Sequence, residues 1–282
     1  MTGCKKIDMD TWARREHYEY YTKQLKVEYN ITANVDVKNV LDFCHSKGYK
    51  FYPAMIYLVT KTLNRIDNFK MFKDKYGYLC AWDKIIPNYT LFHNDDHTFS
   101  DCWTDFSEDF NIFYQDILKD MATAATKKGI KAKEGQPANF YCISCTPWTT
   151  FTGYSSRVSN GEPSFFPIVL MGKYKQHGKK ILMPVNITIA HAVADGYHVG
   201  LFFQYLQEEI NNYYFAGDTD AALVEDIELN CMESSKEKRN NTISQMRLRS
   251  VFKMQISILN TATTEQMGYG IISFFVYPKS TN

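Results

Sequence analysis

The stretch Met183-Pro184-Val185-Asn186-Ile187-Thr188-Ile189-Ala190-His191 reads as a strand that carries a histidine out at its end. Ala192-Val193-Ala194-Asp195-Gly196 then turns it straight into a helix. Val185, Ile187, Ile189 and His191 share one face at a period of two. Three apolar neighbours put His191 on a low-dielectric surface, where burial disfavours imidazolium and favours a neutral ring able to accept a proton. A strand-end His with Asp195 four residues on suits proton transfer. The same His-x-x-x-Asp spacing equally describes a structural histidine with satisfied hydrogen bonds.

Working outward, Phe166–Tyr174 is a second strand. Gln176-His177-Gly178-Lys179 is a turn, so the two strands form a hairpin. Downstream, Gly196–Tyr213 is a helix whose Val199, Phe202, Phe203, Leu206 and Ile210 face inward. Nearer the N-terminus, Val27–Val35 alternates as a half-buried strand with Val27, Tyr29, Ile31, Ala33 and Val35 on one face. A short helix through Val40, Leu41 and Cys44 ends near Gly48, and Pro53 can open another through Met55, Ile56, Val59, Leu63 and Ile66. Tyr78–Trp82, Ile85–His93 and His97–Trp103 read as strands, with Asn94-Asp95-Asp96 as a polar turn. Ser107–Thr126 is a helix with one apolar stripe, Lys127–Ala138 a loop, and Asn139–Cys145 a strand. Strands and helices are interspersed and some strands follow one another directly. The fold class expected is therefore α/β (α+β), a mixed β-sheet layered with helices.

Composition narrows the function classes. The 282 residues are 45% hydrophobic and 22% charged, which excludes a disordered chain. Net charge is +1 with no basic stripe, so nucleic acid is not an expected partner. No apolar run is long enough for a membrane span, and Met1 to Asp10 lacks the apolar core of a secretory signal. Seven Cys at scattered spacings do not form a disulfide framework, so a reducing cytoplasm is expected. Cys142 and Cys145 stand alone as a Cys-x-x-Cys pair and read as core cysteines rather than a zinc or redox site; no metal is expected.

Six collinear motifs over about residues 5–213 carry a family resemblance. They are Trp12–Tyr21, Tyr49–Tyr57, Thr98–Ser100, Ile143–Trp148, Met171–Tyr174 and Pro184–His198. Together the chain closely resembles the chloramphenicol acetyltransferases (type A). The resemblance implies a two-layer fold of the CoA-dependent acyltransferase superfamily. It also implies a homotrimer with active sites at subunit interfaces, and acetyl-CoA as co-substrate. By that resemblance His191 is the general base, Ser144 donates to the oxyanion, and Asp195 pairs with Arg14 to hold the catalytic loop. Tyr20, Tyr21, Tyr29 and Phe99 line the acceptor pocket, and Lys50, Tyr52, Lys173 and Tyr174 the coenzyme side. Taken alone, Ser144 is a strand serine, the aromatics are core candidates, and the lysines are surface solubilisers.

Departures from the family pattern fall on the acceptor side. Ala190 stands where members carry a second histidine, Leu170 where a threonine is common, and Ser156 where a larger apolar residue stands. Lys131 or Ala132 lies near the place of a pocket phenylalanine. Three readings follow. One is acetylation of the primary hydroxyl of chloramphenicol, an antibiotic-resistance activity. The second is acetyl transfer to another hydroxylated small molecule, and the third a non-catalytic trimer that binds a ligand.

In residues 221–282 the aromatics thin to Phe252, Tyr269, Phe274, Phe275 and Tyr277. The expected organisation is a catalytic domain over residues 1–215 and an extension over 216–282. In that extension Ala221–Asn230 is a helix candidate, Glu233–Asn241 a charged linker, and Val251–Ile258 and Ile271–Tyr277 strand candidates; it docks on the core or stays disordered.

Overall fold

The computed structural model describes residues 3–156 and 163–212. The expectations for 216–282 lie outside the described residues. Ten strands, five α-helices and one 3-10 helix are described. In chain order they are β1 (Cys4–Lys6), α1 (Arg15–Lys23), β2 (Glu28–Asp36), α2 (Lys38–Lys47) and α3 (Phe51–Asn64). A 3-10 turn (Asp67–Lys70) leads to β3 (Met71–Lys73), β4 (Leu79–Trp82), β5 (Ile86–Phe92), β6 (Phe99–Trp103) and α4 (Phe110–Ala125). Then come β7 (Phe140–Thr146), β8 (Ile168–Gly172), β9 (Lys175–His177), β10 (Lys180–Ala190) and α5 (Gly196–Asn211). The expected mixed sheet is present. Seven strands run in the order β2-β10-β8-β7-β5-β6, with β9 on β10, and β1-β4-β3 form a second, small sheet. The β8–β10 hairpin is antiparallel as its turn predicts, with Gly178 at φ 59. β5, β7 and β8 run parallel to one another.

Register assigns each residue to a face. Val185, Ile187, Val169, Met171, Ile143, Tyr141 and Tyr89 share the face that joins the helices in one buried core. The opposite face carries a largely polar row: Thr32, Asn186, Leu170 and Ser144 lie each opposite the next, Thr90 lies opposite Asp101, and Ser144 Oγ is 2.8 Å from Thr90 Oγ1. Asn186 Nδ2 donates to Thr32 Oγ1 at 2.9 Å and Thr188 Oγ1 to Asn186 Oδ1 at 3.1 Å, so these buried groups are satisfied within the sheet.

Three helices end or begin as the sequence dictates. Gly48 takes φ 73 after α2, where only glycine is at ease. Asp109 caps α4 by accepting from the Asn111 and Ile112 amides. Asp195 caps α5 by accepting from Tyr197 N at 3.0 Å. Helix α1 has no fully buried residue, and its only large apolar bodies are Tyr18, Tyr20 and Tyr21.

Phe202 of α5 is fully buried, edge-on to Phe69 at 6.2 Å and next to Phe203 at 5.2 Å. Phe202→Ala is expected to lower the unfolding free energy by about 3–5 kcal/mol, read from the urea midpoint at unchanged slope.

Candidate active site

The site starts where β10 stops. His191 N donates to Val27 O at 3.0 Å, which continues the β2–β10 ladder one residue past the strand. The chain then folds through Ala192–Ala194 into the α5 cap. This places His191 Nδ1 3.1 Å from Ala194 O. A carbonyl only accepts, so Nδ1 carries the hydrogen and the neutral ring holds its lone pair on Nε2. Tyr21 stacks on the imidazole with centroids 4.0 Å apart, and Tyr29 tilts against it at 5.0 Å. Tyr20, 42% exposed, contacts Tyr21 edge-on.

Arg14 and Asp195 hold this loop from outside. Arg14 Nη1 pairs with Asp195 Oδ2, and its Nη2 donates to His191 O at 3.3 Å. One guanidinium thus ties the helix cap to the histidine's own backbone, a use of its rigid fork. His198 Nδ1 is 2.9 Å from Asp195 Oδ1. Burial opposes the Asp195 charge. The nearby Arg14 guanidinium and the hydrogen bonds from His198 and Arg14 outweigh it, and hold the carboxyl below the usual range. Burial likewise holds His198 below the ordinary histidine value, while its bond to Asp195 works the other way.

A cleft of about 870 Å³ opens elsewhere, at the end of strands β5, β7 and β8. Its lining includes Ser144, Phe99, Tyr52, Lys173, Tyr174 and Trp148. Ser144 Oγ is 2.8 Å from Thr90 Oγ1. Tyr52 donates to Thr90 O at 3.3 Å, and Tyr174 meets Phe51 edge-on at 5.6 Å. Lys50 is exposed as the residue before α3, and its backbone N donates to Tyr114 OH at 2.7 Å.

The predicted residues therefore form two groups: Arg14, Asp195, Tyr20, Tyr21 and Tyr29 gather around His191, while Phe99 joins Ser144, Tyr52, Lys173 and Tyr174 in the cleft, whose lining does not include Lys50. Sheet register gives the gap between them. Ser144 pairs with Leu170 and Leu170 with Asn186, and His191 lies five residues further along β10. Two strand spacings and five residue rises separate the two backbones by about 19 Å. They also lie on opposite faces, so one chain does not bring His191 and Ser144 to a common reacting atom.

The altered positions are also placed. Ala190 is buried opposite Glu28. Leu170 stands between Ser144 and Asn186 on the polar row. Ser156 Oγ is buried with no hydrogen-bond partner among the described residues. Ala132 enters the core, whereas Lys131 pairs with Asp101 at 3.7 Å. Sequence reading missed the Ala194 carbonyl, Thr90 and His198. A backbone acceptor has no sequence signal, but alternation of Asn88 and Thr90 with Tyr89 and Leu91 marks Thr90's face. Cys142 and Cys145 are free thiols, each pushed by burial up to about 11. Among the described residues no cluster of three His, Cys, Asp or Glu could hold a metal, and no helix is long and apolar enough to cross a membrane.

Comparison with known proteins agrees with this architecture. A family model described as chloramphenicol acetyltransferase matches residues 3–207. A chloramphenicol acetyltransferase of Clostridium perfringens is 38% identical over 207 residues, 73% of this chain and 94% of the relative. One from Staphylococcus aureus is 36% identical over 203 residues, 72% of this chain and 94% of that one. A solved chloramphenicol acetyltransferase structure superposes with a TM-score of 0.62 at 21% identity, covering 74% of this chain and 98% of its own. The cubic core of a pyruvate dehydrogenase multienzyme complex superposes at 0.53 and 14% identity, over 66% and 82%. These two likenesses identify the fold, that of chloramphenicol acetyltransferase and related acyltransferase cores.

Asp195 titrates below its unfolded value, so its stabilisation is full above about pH 4 and lost as pH falls through the folded value. The stability gap between the wild type and Asp195→Asn should be constant at neutral pH and shrink below about pH 4. Urea midpoints across that range check it.

Proposed function

The chain belongs to the chloramphenicol acetyltransferase family and is an acyltransferase, and from that premise we propose that it moves the acetyl group of acetyl-CoA to the primary hydroxyl of chloramphenicol, conferring antibiotic resistance in the cytoplasm. His191 Nε2 takes the hydroxyl proton. The freed oxygen attacks the thioester carbonyl, and Ser144 donates a hydrogen bond to the oxyanion that forms. The intermediate collapses, the C–S bond breaks, and the coenzyme sulfur leaves with the proton His191 had taken. No acetyl-enzyme forms. The observation that carries this reading is the Nδ1 hydrogen bond to Ala194 O, which leaves Nε2 as the basic nitrogen. One oxyanion donor is typically worth about 3–4 kcal/mol in such a step. Tyr20, Tyr21, Tyr29 and Phe99 hold the acceptor, and Lys50, Tyr52, Lys173 and Tyr174 the coenzyme.

The split between the two groups supports a shared site. We propose that His191 of one subunit serves the Ser144 side of the next, in a homotrimer. Two variants test this together. His191→Ala and Ser144→Ala should each depress thiol release from acetyl-CoA with chloramphenicol, the first to background. Co-expressed in equal amounts, they should recover about a quarter of wild-type turnover, because a quarter of the interfaces unite two intact halves. No recovery counts against a shared site, and normal release from His191→Ala removes it as the base.

Residues 1–215 are proposed as the catalytic domain and 216–282 as an extension, in keeping with the family match over 3–207. A chain ending at Phe215 should keep the turnover and the oligomer mass of the full chain, measured by thiol release and light scattering. Acetyl transfer to a different hydroxylated acceptor is favoured by the altered acceptor side at Leu170, Ser156 and Lys131.

A further inference from the structure

The loop that carries His191 has a second handle besides Arg14. Asn68 sits in the 3-10 turn Asp67–Lys70, far away in the chain, and its Nδ2 donates to Val193 O at 2.6 Å. A carbonyl only accepts, so the amide must turn its nitrogen toward Val193. Val193 itself is fully buried.

The turn is a firm base for so short a side chain. Phe69 is buried edge-on to Phe202 of α5 at 6.2 Å, and its backbone N donates to Ile66 O at 3.0 Å. Lys70 Nζ pairs with Asp67 Oδ1 at 2.8 Å. An asparagine has only its χ1 and χ2 to turn about, so little freedom remains between this turn and the carbonyl it holds.

The Val193–Ala194 peptide is planar, so its C=O and N–H move together. Asn68 holds the C=O. Ala194 N donates to Ala190 O at 3.3 Å, which holds the N–H. The next carbonyl along, Ala194 O, is the one that lies 3.1 Å from His191 Nδ1. A tilt of the Val193–Ala194 peptide would carry that acceptor away from the ring. A neutral imidazole with no partner for Nδ1–H loses what sets its tautomer, and divides its proton between the two nitrogens.

We infer that Asn68 is a positioning residue: its hydrogen bond to Val193 O keeps the Ala194 carbonyl at His191 Nδ1, and so keeps the lone pair of the ring on Nε2. The inference rests on the proposed role of His191 as the base. Arg14 grips the loop at His191 O and Asn68 grips it at Val193 O, so its two ends are tied to different elements. Without Asn68 a buried carbonyl loses its donor, which is costly, and the loop shifts to pair it again.

Asn68→Asp tests this in the full chain, because it keeps the shape of the side chain and replaces the donor by a carboxylate that only accepts. Thiol release from acetyl-CoA with chloramphenicol should show kcat lower by about ten- to a hundredfold, the cost of a misplaced reacting group. The KM for acetyl-CoA should not move, since the cleft is lined by other elements. Ring 15N spectra of His191, identified by comparison with His191→Ala, should show Nδ1 protonated and Nε2 bare in the wild type, at a pH where the ring is neutral. In Asn68→Asp they should show a mixture of the two tautomers. If that variant fails to fold, Asn68→Ala, which removes the donor without adding charge, should do the same. An unmoved kcat or an unmoved tautomer in a folded variant overturns the inference. If the wild type releases no thiol, or His191→Ala releases it normally, the acetyl-transfer reading or the base falls. The nitrogen spectra need no turnover and still decide whether Asn68 sets the tautomer.

Discussion

The antiparallel pairing of β10 with β2, from Leu182 opposite Asp36 to Ala190 opposite Glu28, is the constraint on which the rest depends. A slip of one residue would turn every β10 side chain to the other face. Val185, Ile187 and Ile189 would leave the helix-packed core, and Asn186 and Thr188 would enter it. The same ladder ends with His191 N on Val27 O, so the register that builds the core also aims the histidine. Because β10 pairs with β8 on its other side, it also sets Asn186 beside Leu170.

The loop after that strand is held by charge rather than by packing. A single guanidinium reaches both the α5 cap and the His191 carbonyl. Removing one half of such a part-buried pair leaves the other desolvated and alone, which costs more than the pair itself contributes. Asp195 does three jobs there: it caps the helix, pairs with Arg14, and fixes His198. None of these touches the imidazole ring, so Arg14 and Asp195 hold the His191 loop without a bond to the ring nitrogens.

Much of this was legible in the sequence because its signals are local. Alternation in β2 and β10, Gly48 after α2 and the stripe of α5 are all short-range patterns. Helix α1 escaped because it carries no aliphatic side chain at helical spacing, only Tyr18, Tyr20 and Tyr21, none fully buried. The strands β1 and β3 are three residues each, too short to show a period. At the site, the spacing pointed to His191 and Asp195, and the family resemblance to Arg14. The distance between His191 and Ser144 was not legible, since it depends on strand order across β10, β8 and β7.

The hydrogen bond from His191 Nδ1 to Ala194 O has a further chemical meaning. It makes the imidazole one-sided as a nucleophile. A halomethyl ketone that reaches the ring finds a lone pair on Nε2 and an occupied N–H on the other nitrogen. Its adduct would be a single regioisomer, and that regiochemistry would report which way the ring faces without any diffraction at all.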